Sequence, residues 1–201
     1  MSLSIILVRH GESEANVRNV IVSDRFDPPL TPKGRQDTKF LAQQWKDQPV
    51  HAIYASPLKR TLETARIWAE TFQIDSVQPD DRLHEIHLGA FDGQVIDDLL
   101  HSKRDIYEKW KQDPESPPPG GEKLSAVGER VHAFLTMAAA RHHTGFVIAV
   151  SHADCLKAAT LSILRSPWES AQYLHFANVA AIVIQYHNHR FQLLGQPVIP
   201  V

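Results

Sequence analysis

Apolar runs that alternate with helix-patterned segments predict an α/β fold, a three-layer α/β/α sandwich around a mostly parallel sheet. Within Ser4–Val8, Ala52–Ala55 and Phe146–Val150 apolar residues fill nearly every position, as in strands covered on both faces. Segments with apolar residues three and four apart follow them, the period of one helix face. The chain has 201 residues, enough for one domain with a full core, so 1–201 is expected to form a single domain.

The first strand, Ser4–Val8, runs into Arg9, His10 and Gly11. Thr31 and Pro32 give an N-cap and a first-turn proline. Their helix is expected to continue to about Gln48, with Phe40, Leu41 and Trp45 on one stripe. Strand Ala52–Ala55 closes in Ser56-Pro57, and Leu58, Leu62, Ala65, Ala69 and Phe72 then mark one face of a helix. Leu83–Phe91 is short, mixed and ends in Asp92-Gly93, which reads as a strand fragment and loop. Gln94–Lys111 reads as one helix, and "QDPESPPPGGEK" as a loop punctuated by proline and glycine. Leu124, Val127, Val131, Phe134, Leu135 and Ala138 mark another helix before the Phe146–Val150 strand. Ser151-His152 leads into a helix over about Ala153–Leu164. Val179–Tyr186 and Phe191–Leu194, separated by His187–Arg190, predict a closing hairpin whose edge could pair with a second copy in a homodimer.

A formal net charge of −2 gives no global attraction to nucleic acid or an anionic membrane. The longest apolar runs, Phe146–Val150 and Val179–Ile184, are too short to span a bilayer. No basic segment precedes Ile5–Val8, so no leader is expected. A single cysteine, Cys155, forms no internal disulfide and suits a reducing cytoplasm.

Ligands of parallel α/β sheets bind beyond the carboxyl ends of the strands. Arg9-His10, Ser56–Arg60 and His152 all fall there. A neighbouring cation disfavours imidazolium, so Arg9 should keep His10 neutral and nucleophilic near neutral pH. The fork of donors on Arg9 can grip a tetrahedral oxyanion, and Gly11 allows backbone to approach a ligand closely. Arg60 is a cation at a helix start, where the dipole opposes it unless an anion is also held. Two arginines and two histidines around one crevice suit a phosphoryl group. His142-His143 and His187/His189 lack the carboxylates and spacing of a divalent site, so no metal is expected there. Asp80-Asp81 and Asp97-Asp98 read as loop and helix-surface charge, and Cys155 as a small buried residue.

"LVRHGESEAN" resembles the Arg-His-Gly signature of the histidine phosphatase superfamily, which includes cofactor-dependent phosphoglycerate mutases. "DPPLTPKGRQ", "YASPLKRTLETA", "LHEIHLGAFDG" and "VSHADCLKA" are similar, in order, to the other segments of that pattern. The resemblance spans about residues 5–160 and implies a phosphoglycerate mutase-like fold. It implies that His10 is the nucleophile, that Arg9, Arg60 and His152 hold the phosphoryl oxygens, and that Asn16 adds an amide donor. Glu85 would protonate the leaving alcohol and then activate water, with the bound phosphate raising its pKa. Charge stabilisation would come from side chains, requiring no metal or cofactor. Ala15, Ser23-Asp24 and Ala153 depart from residues common in the family, leaving every charged core residue in place.

Chain length and the passage of "LGAFDGQVIDDL" directly into a helix favour a phosphomonoesterase acting on a small phosphorylated metabolite. The alternatives are mutase-type phosphoryl transfer and a non-catalytic phosphate-ligand binder. The binder is disfavoured because binding alone needs neither His10 nor Glu85. Pocket walls are expected from Ser23–Pro28 and from the 94–122 stretch, which do not spell out a substrate.

Overall fold

A computed structural model describes residues 2–23 and 25–195. Asp24 and the last six positions of the expected single domain lie outside the described residues. The elements run β1 (Leu3–Arg9), α1 (Glu14–Val17), α2 (Pro32–Gln44), β2 (Val50–Ala55), α3 (Lys59–Phe72) and β3 (Val77–Pro79). Then come α4 (Ile96–Ser102), α5 (Arg104–Gln112), α6 (Leu124–Arg141), β4 (Gly145–Ser151), α7 (Ala153–Leu164), β5 (Ala181–His187) and β6 (Arg190–Leu194).

Six strands form one sheet in the order β3-β2-β4-β1-β5-β6. The first four in that order are mutually parallel, and the β5–β6 hairpin closes the sheet antiparallel. The period-two alternation of β1 sends Leu3, Ile5 and Leu7 into one core with α6 and α7. It sends Ile6 and Val8 into a second core containing Ala42 of α2 and Ala65, Trp68 and Ala69 of α3. Two buried faces explain why β1 is apolar from Ile5 to Val8, and they make the three layers.

Several elements differ from the sequence expectation. Helix α2 stops at Gln44 and leaves Phe40 60% exposed, because its tight buried stripe is Gly34, Thr38 and Ala42. Small side chains let the helix approach the Gly11-Glu12 backbone closely, and the larger apolar residue falls on the outer face. The 83–91 segment forms no strand among the described residues. Two 3-10 turns, Asp81–Leu83 and Gly89–Phe91, flank an extended stretch with one isolated bridge, Leu88 to Gly121. The expected Gln94–Lys111 helix breaks at Lys103, whose φ of −143° and ψ of 35° lie outside the helical region. Strand β3 ends in proline, which obscured a short edge strand. No helix among the described residues is long and apolar enough to cross a membrane.

Gly11 also departs from expectation. A Cβ there would lie 2.6 Å from the Gly34 carbonyl oxygen and 2.7 Å from Thr38 Oγ1, so the close approach is to the chain's own α2, not to a ligand. In return, a Cβ on Gly34 would press into the Glu12 carbonyl and amide. Helix propensity alone would make Gly34→Ala stabilising by about 1 kcal/mol. The backbone clash reverses the sign, and we expect a net loss of about 2 kcal/mol, read as a lower denaturant midpoint. An unchanged or higher midpoint would refute this packing.

Candidate active site

Strand register sets the site. Val8 pairs with Val150 and Arg9 with Ser151, so the next residues, His10 and His152, leave neighbouring strands side by side. Ala55 pairs with Val150 as well, bringing Ser56 and the start of α3 to the same edge. The His10 amide donates to Ser151 O at 3.0 Å and the Ser56 amide to Val150 O at 2.9 Å. The His10 and His152 ring centroids are 5.3 Å apart.

The His10 ring is buried and fixed by one bond, Nδ1 to Gly11 O at 2.7 Å. A carbonyl only accepts, so Nδ1 carries the hydrogen and the neutral ring keeps its lone pair on Nε2. Burial first, then Arg60 and then Arg9, hold the His10 pKa well below the usual imidazole value. The sequence assigned this depression to Arg9. Arg60 matters more, and burial most.

Arg60 is only 1% exposed, not the solvated first-turn residue that its helical position suggests. Its head is held by long contacts: Nη1 to Asp27 Oδ1 at 3.4 Å, Nη2 to Val22 O at 3.3 Å and Nη2 to His152 Nδ1 at 3.3 Å. Arg9 Nη1 donates to Phe176 O at 2.6 Å. Among the described residues, Nε of Arg9 and Nε of Arg60 are buried without a hydrogen-bond partner. A buried cation with an unmet donor is costly, and an anion between the two guanidiniums would relieve both.

His152 is fully buried, with Nε2 2.9 Å from Ser56 Oγ and Nδ1 facing Arg60. Burial, then Arg60, hold its pKa well below the usual value too. Asn16 caps its own short helix, its Oδ1 accepting from the Ser13 amide and hydroxyl at 3.0 Å each. Asn178 Nδ2 reaches both Asn16 Oδ1, at 3.1 Å, and His10 O, at 3.2 Å. This arrangement leaves the Asn16 amide nitrogen as its free end.

Glu85 follows the first 3-10 turn. Its Oε1 accepts from the Ile86 amide at 3.0 Å and its Oε2 stands 3.6 Å from His152 Nδ1. Burial, then Asp154, push its pKa up to about 7 against the opposing pull of Arg60. The carboxyl is therefore tuned by the fold itself, where the sequence argument invoked bound phosphate. Because Oε1 takes an N–H, the acid proton belongs on Oε2, the oxygen facing the histidines.

All six sequence-predicted residues thus meet at one sheet edge. Three supporting residues were not anticipated: Asp27 on Arg60, Asn178 on the His10 carbonyl, and Thr64, whose Oγ1 accepts from the Gly11 amide at 3.0 Å. Asn178 lies far along the chain in an unpatterned loop, so only the fold shows its place. Burial pushes the Cys155 thiol up to about 12, and Sγ donates to His84 O at 3.0 Å, which makes it an inert structural thiol. His142 bonds the Tyr54 hydroxyl at 3.0 Å. Among the described residues no three His, Cys, Asp or Glu side chains gather as a metal site.

Fold and site together define an α/β protein that gathers two buried histidines and two arginines at the carboxyl edge of its sheet. The chain belongs to the histidine phosphatase superfamily, branch 1, whose family model matches residues 5–197. Phosphoserine phosphatase 1 of Hydrogenobacter thermophilus is 33% identical over 163 residues, covering 81% of this chain and 76% of that protein. The 2,3-bisphosphoglycerate-dependent phosphoglycerate mutase of Thermoplasma acidophilum is 31% identical over 192 residues, covering 94% and 90%. Among solved structures, YhfR of Bacillus stearothermophilus superposes with a TM-score of 0.88 at 28% identity, covering 95% of each chain. Family membership and the phosphatase relatives support hydrolase activity on phosphate esters.

Proposed function

We propose that this protein hydrolyses a small phosphomonoester through a phosphohistidine on His10. The observation that carries this reading is the His10 ring: Nδ1 is committed to Gly11 O, and Nε2 keeps a lone pair beside two guanidiniums with unmet donors. Arg9 and Arg60 hold the phosphoryl oxygens, with His152 and the Asn16 amide nitrogen beside them. Nε2 attacks phosphorus, the ester P–O bond breaks, and the Glu85 Oε2 proton passes to the departing alkoxide. The Gly11 carbonyl then steadies the ring's new positive charge through the Nδ1 hydrogen. Water next attacks the phosphohistidine while the Glu85 carboxylate takes its proton. The P–N bond breaks and Nε2 recovers its lone pair. Dividing hydrolysis in two lowers each barrier, and the guanidiniums stabilise charge on the transferring group.

Two relatives of different activity, a phosphatase and a mutase, lie at near-equal identity. The test is incubation with a panel of phosphomonoesters, including phosphoserine and 3-phosphoglycerate with its bisphosphate. Phosphate release with the ester consumed supports hydrolysis, whereas phosphate exchange without release would make the protein a mutase. The pH profile adds a second check. Glu85 must be protonated for the first step, so kcat/KM for an alkyl phosphate should fall as pH rises past about 7. Glu85→Gln should remove that limb along with most of the rate. A limb that persists unchanged in this variant would take the acid role away from Glu85.

A further inference from the structure

Arg130, on α6, is the most completely committed cation near the site. A guanidinium has five N–H donors. Nε–H and one Nη2–H grip Glu122, at 2.9 and 3.1 Å. The two Nη1 donors go to Arg82 O at 2.9 Å and His84 O at 2.6 Å, and the second Nη2 donor to Glu85 O at 3.3 Å. All five are spent on protein acceptors, three of them backbone carbonyls within the four residues ending at Glu85. Ser151 Oγ holds the remaining carbonyl, Leu83 O, at 2.7 Å. Arg9 and Arg60 keep donors for a ligand. Arg130 keeps none.

We propose that the Glu122–Arg130 pair is a positioning device that fixes the backbone of Arg82–Glu85 and so aims the Glu85 carboxyl at the leaving oxygen. The inference rests on the reading of Glu85 as general acid. The 82–85 stretch is a 3-10 turn and an extended link without a strand ladder, so its carbonyls depend on these side chains. Glu122 is itself tied to the next part of the same loop, because its Oε2 accepts from the His87 amide at 3.3 Å and its own amide donates to His87 O at 2.7 Å. One ion pair therefore grips the acid-bearing loop on both sides of Glu85. The planar fork makes the grip specific, since an ammonium cannot reach three carbonyls and a carboxylate in this plane.

A misplaced acid has a signature that loss of general packing lacks. An alkoxide leaving group needs a proton, whereas p-nitrophenolate departs without one. The second-order constant kcat/KM covers only steps up to loss of the alcohol, so hydrolysis of the phosphoenzyme does not enter. Arg130→Lys, which keeps the charge, should lower kcat/KM for glycerol phosphate by about 10-fold or more while p-nitrophenyl phosphate changes by less than about 3-fold. Glu85→Gln should show the same selectivity with a larger alkyl loss. Equal losses on both esters for Arg130→Lys, with Glu85→Gln selective, would overturn the positioning role and leave the acid role standing. Equal losses for Glu85→Gln would overturn the acid role, and the positioning role with it. If Arg130→Lys does not fold, Glu122→Gln carries the same comparison, since it frees the fork without removing it.

Discussion

Replacing His10 with alanine is expected to lower kcat by at least about 10⁴-fold and leave a folded protein. Among the described residues, neither the neighbouring histidine nor the nearby thiol can stand in. His152 has both ring nitrogens engaged, by Ser56 and by Arg60, and no exposed surface. The Cys155 thiol is held up to about 12 and bonded to a carbonyl. The fold should survive because, among the described residues, the His10 side chain makes only one hydrogen bond, to the adjacent residue. Its backbone contacts, the amide to Ser151 O and the carbonyl to Asn178, are untouched by the substitution. Steady-state turnover together with a thermal unfolding curve checks both halves. Residual activity within about 10-fold of wild type would mean another nucleophile.

Arg60→Met should cost about 10²–10³-fold in kcat/KM, the loss typical of removing one preorganised donor from developing negative charge. It should also move the pH profile in a defined direction. Arg60 is the largest charge lowering the His10 pKa. Without it, His10 protonates at higher pH, and activity is lost earlier on the acid side. Arg60 is likewise the main charge opposing the rise of Glu85. Without it, Glu85 stays protonated to higher pH, and the basic limb moves up as well. Both limbs therefore shift upward together, which a structural defect would not produce. A fall in rate with both limbs in place would show that Arg60 does not set the titration of this pair.

The sequence carried the site further than it carried the wall around it. His10, Arg60 and His152 were legible because each follows an apolar parallel strand or opens the next helix, and parallel topology sends those ends to one edge. Glu85 was legible only through family resemblance, since its segment has neither helical nor strand period. Asp27, Asn178 and Arg130 were silent because Arg60, the His10 carbonyl and the carbonyls of Arg82, His84 and Glu85 lie 33, 168 and 45 to 48 residues from them. Phe40 misled for a related reason. Periodicity finds an apolar stripe, but close packing of α2 against the Gly11-Glu12 turn put Gly34 and Thr38 on its buried side. Gly11 was read as room for a ligand, whereas the space belongs to Gly34.

The central claim is a covalent bond between phosphorus and His10 Nε2. Rapid quenching during turnover of a labelled phosphomonoester, followed by mass spectrometry of peptides kept at alkaline pH, tests it most directly. The account predicts an acid-labile, alkali-stable phosphoryl group on the peptide containing His10, absent from the His10→Ala variant. A phosphoryl group on any other residue, or one that persists in that variant, would contradict it.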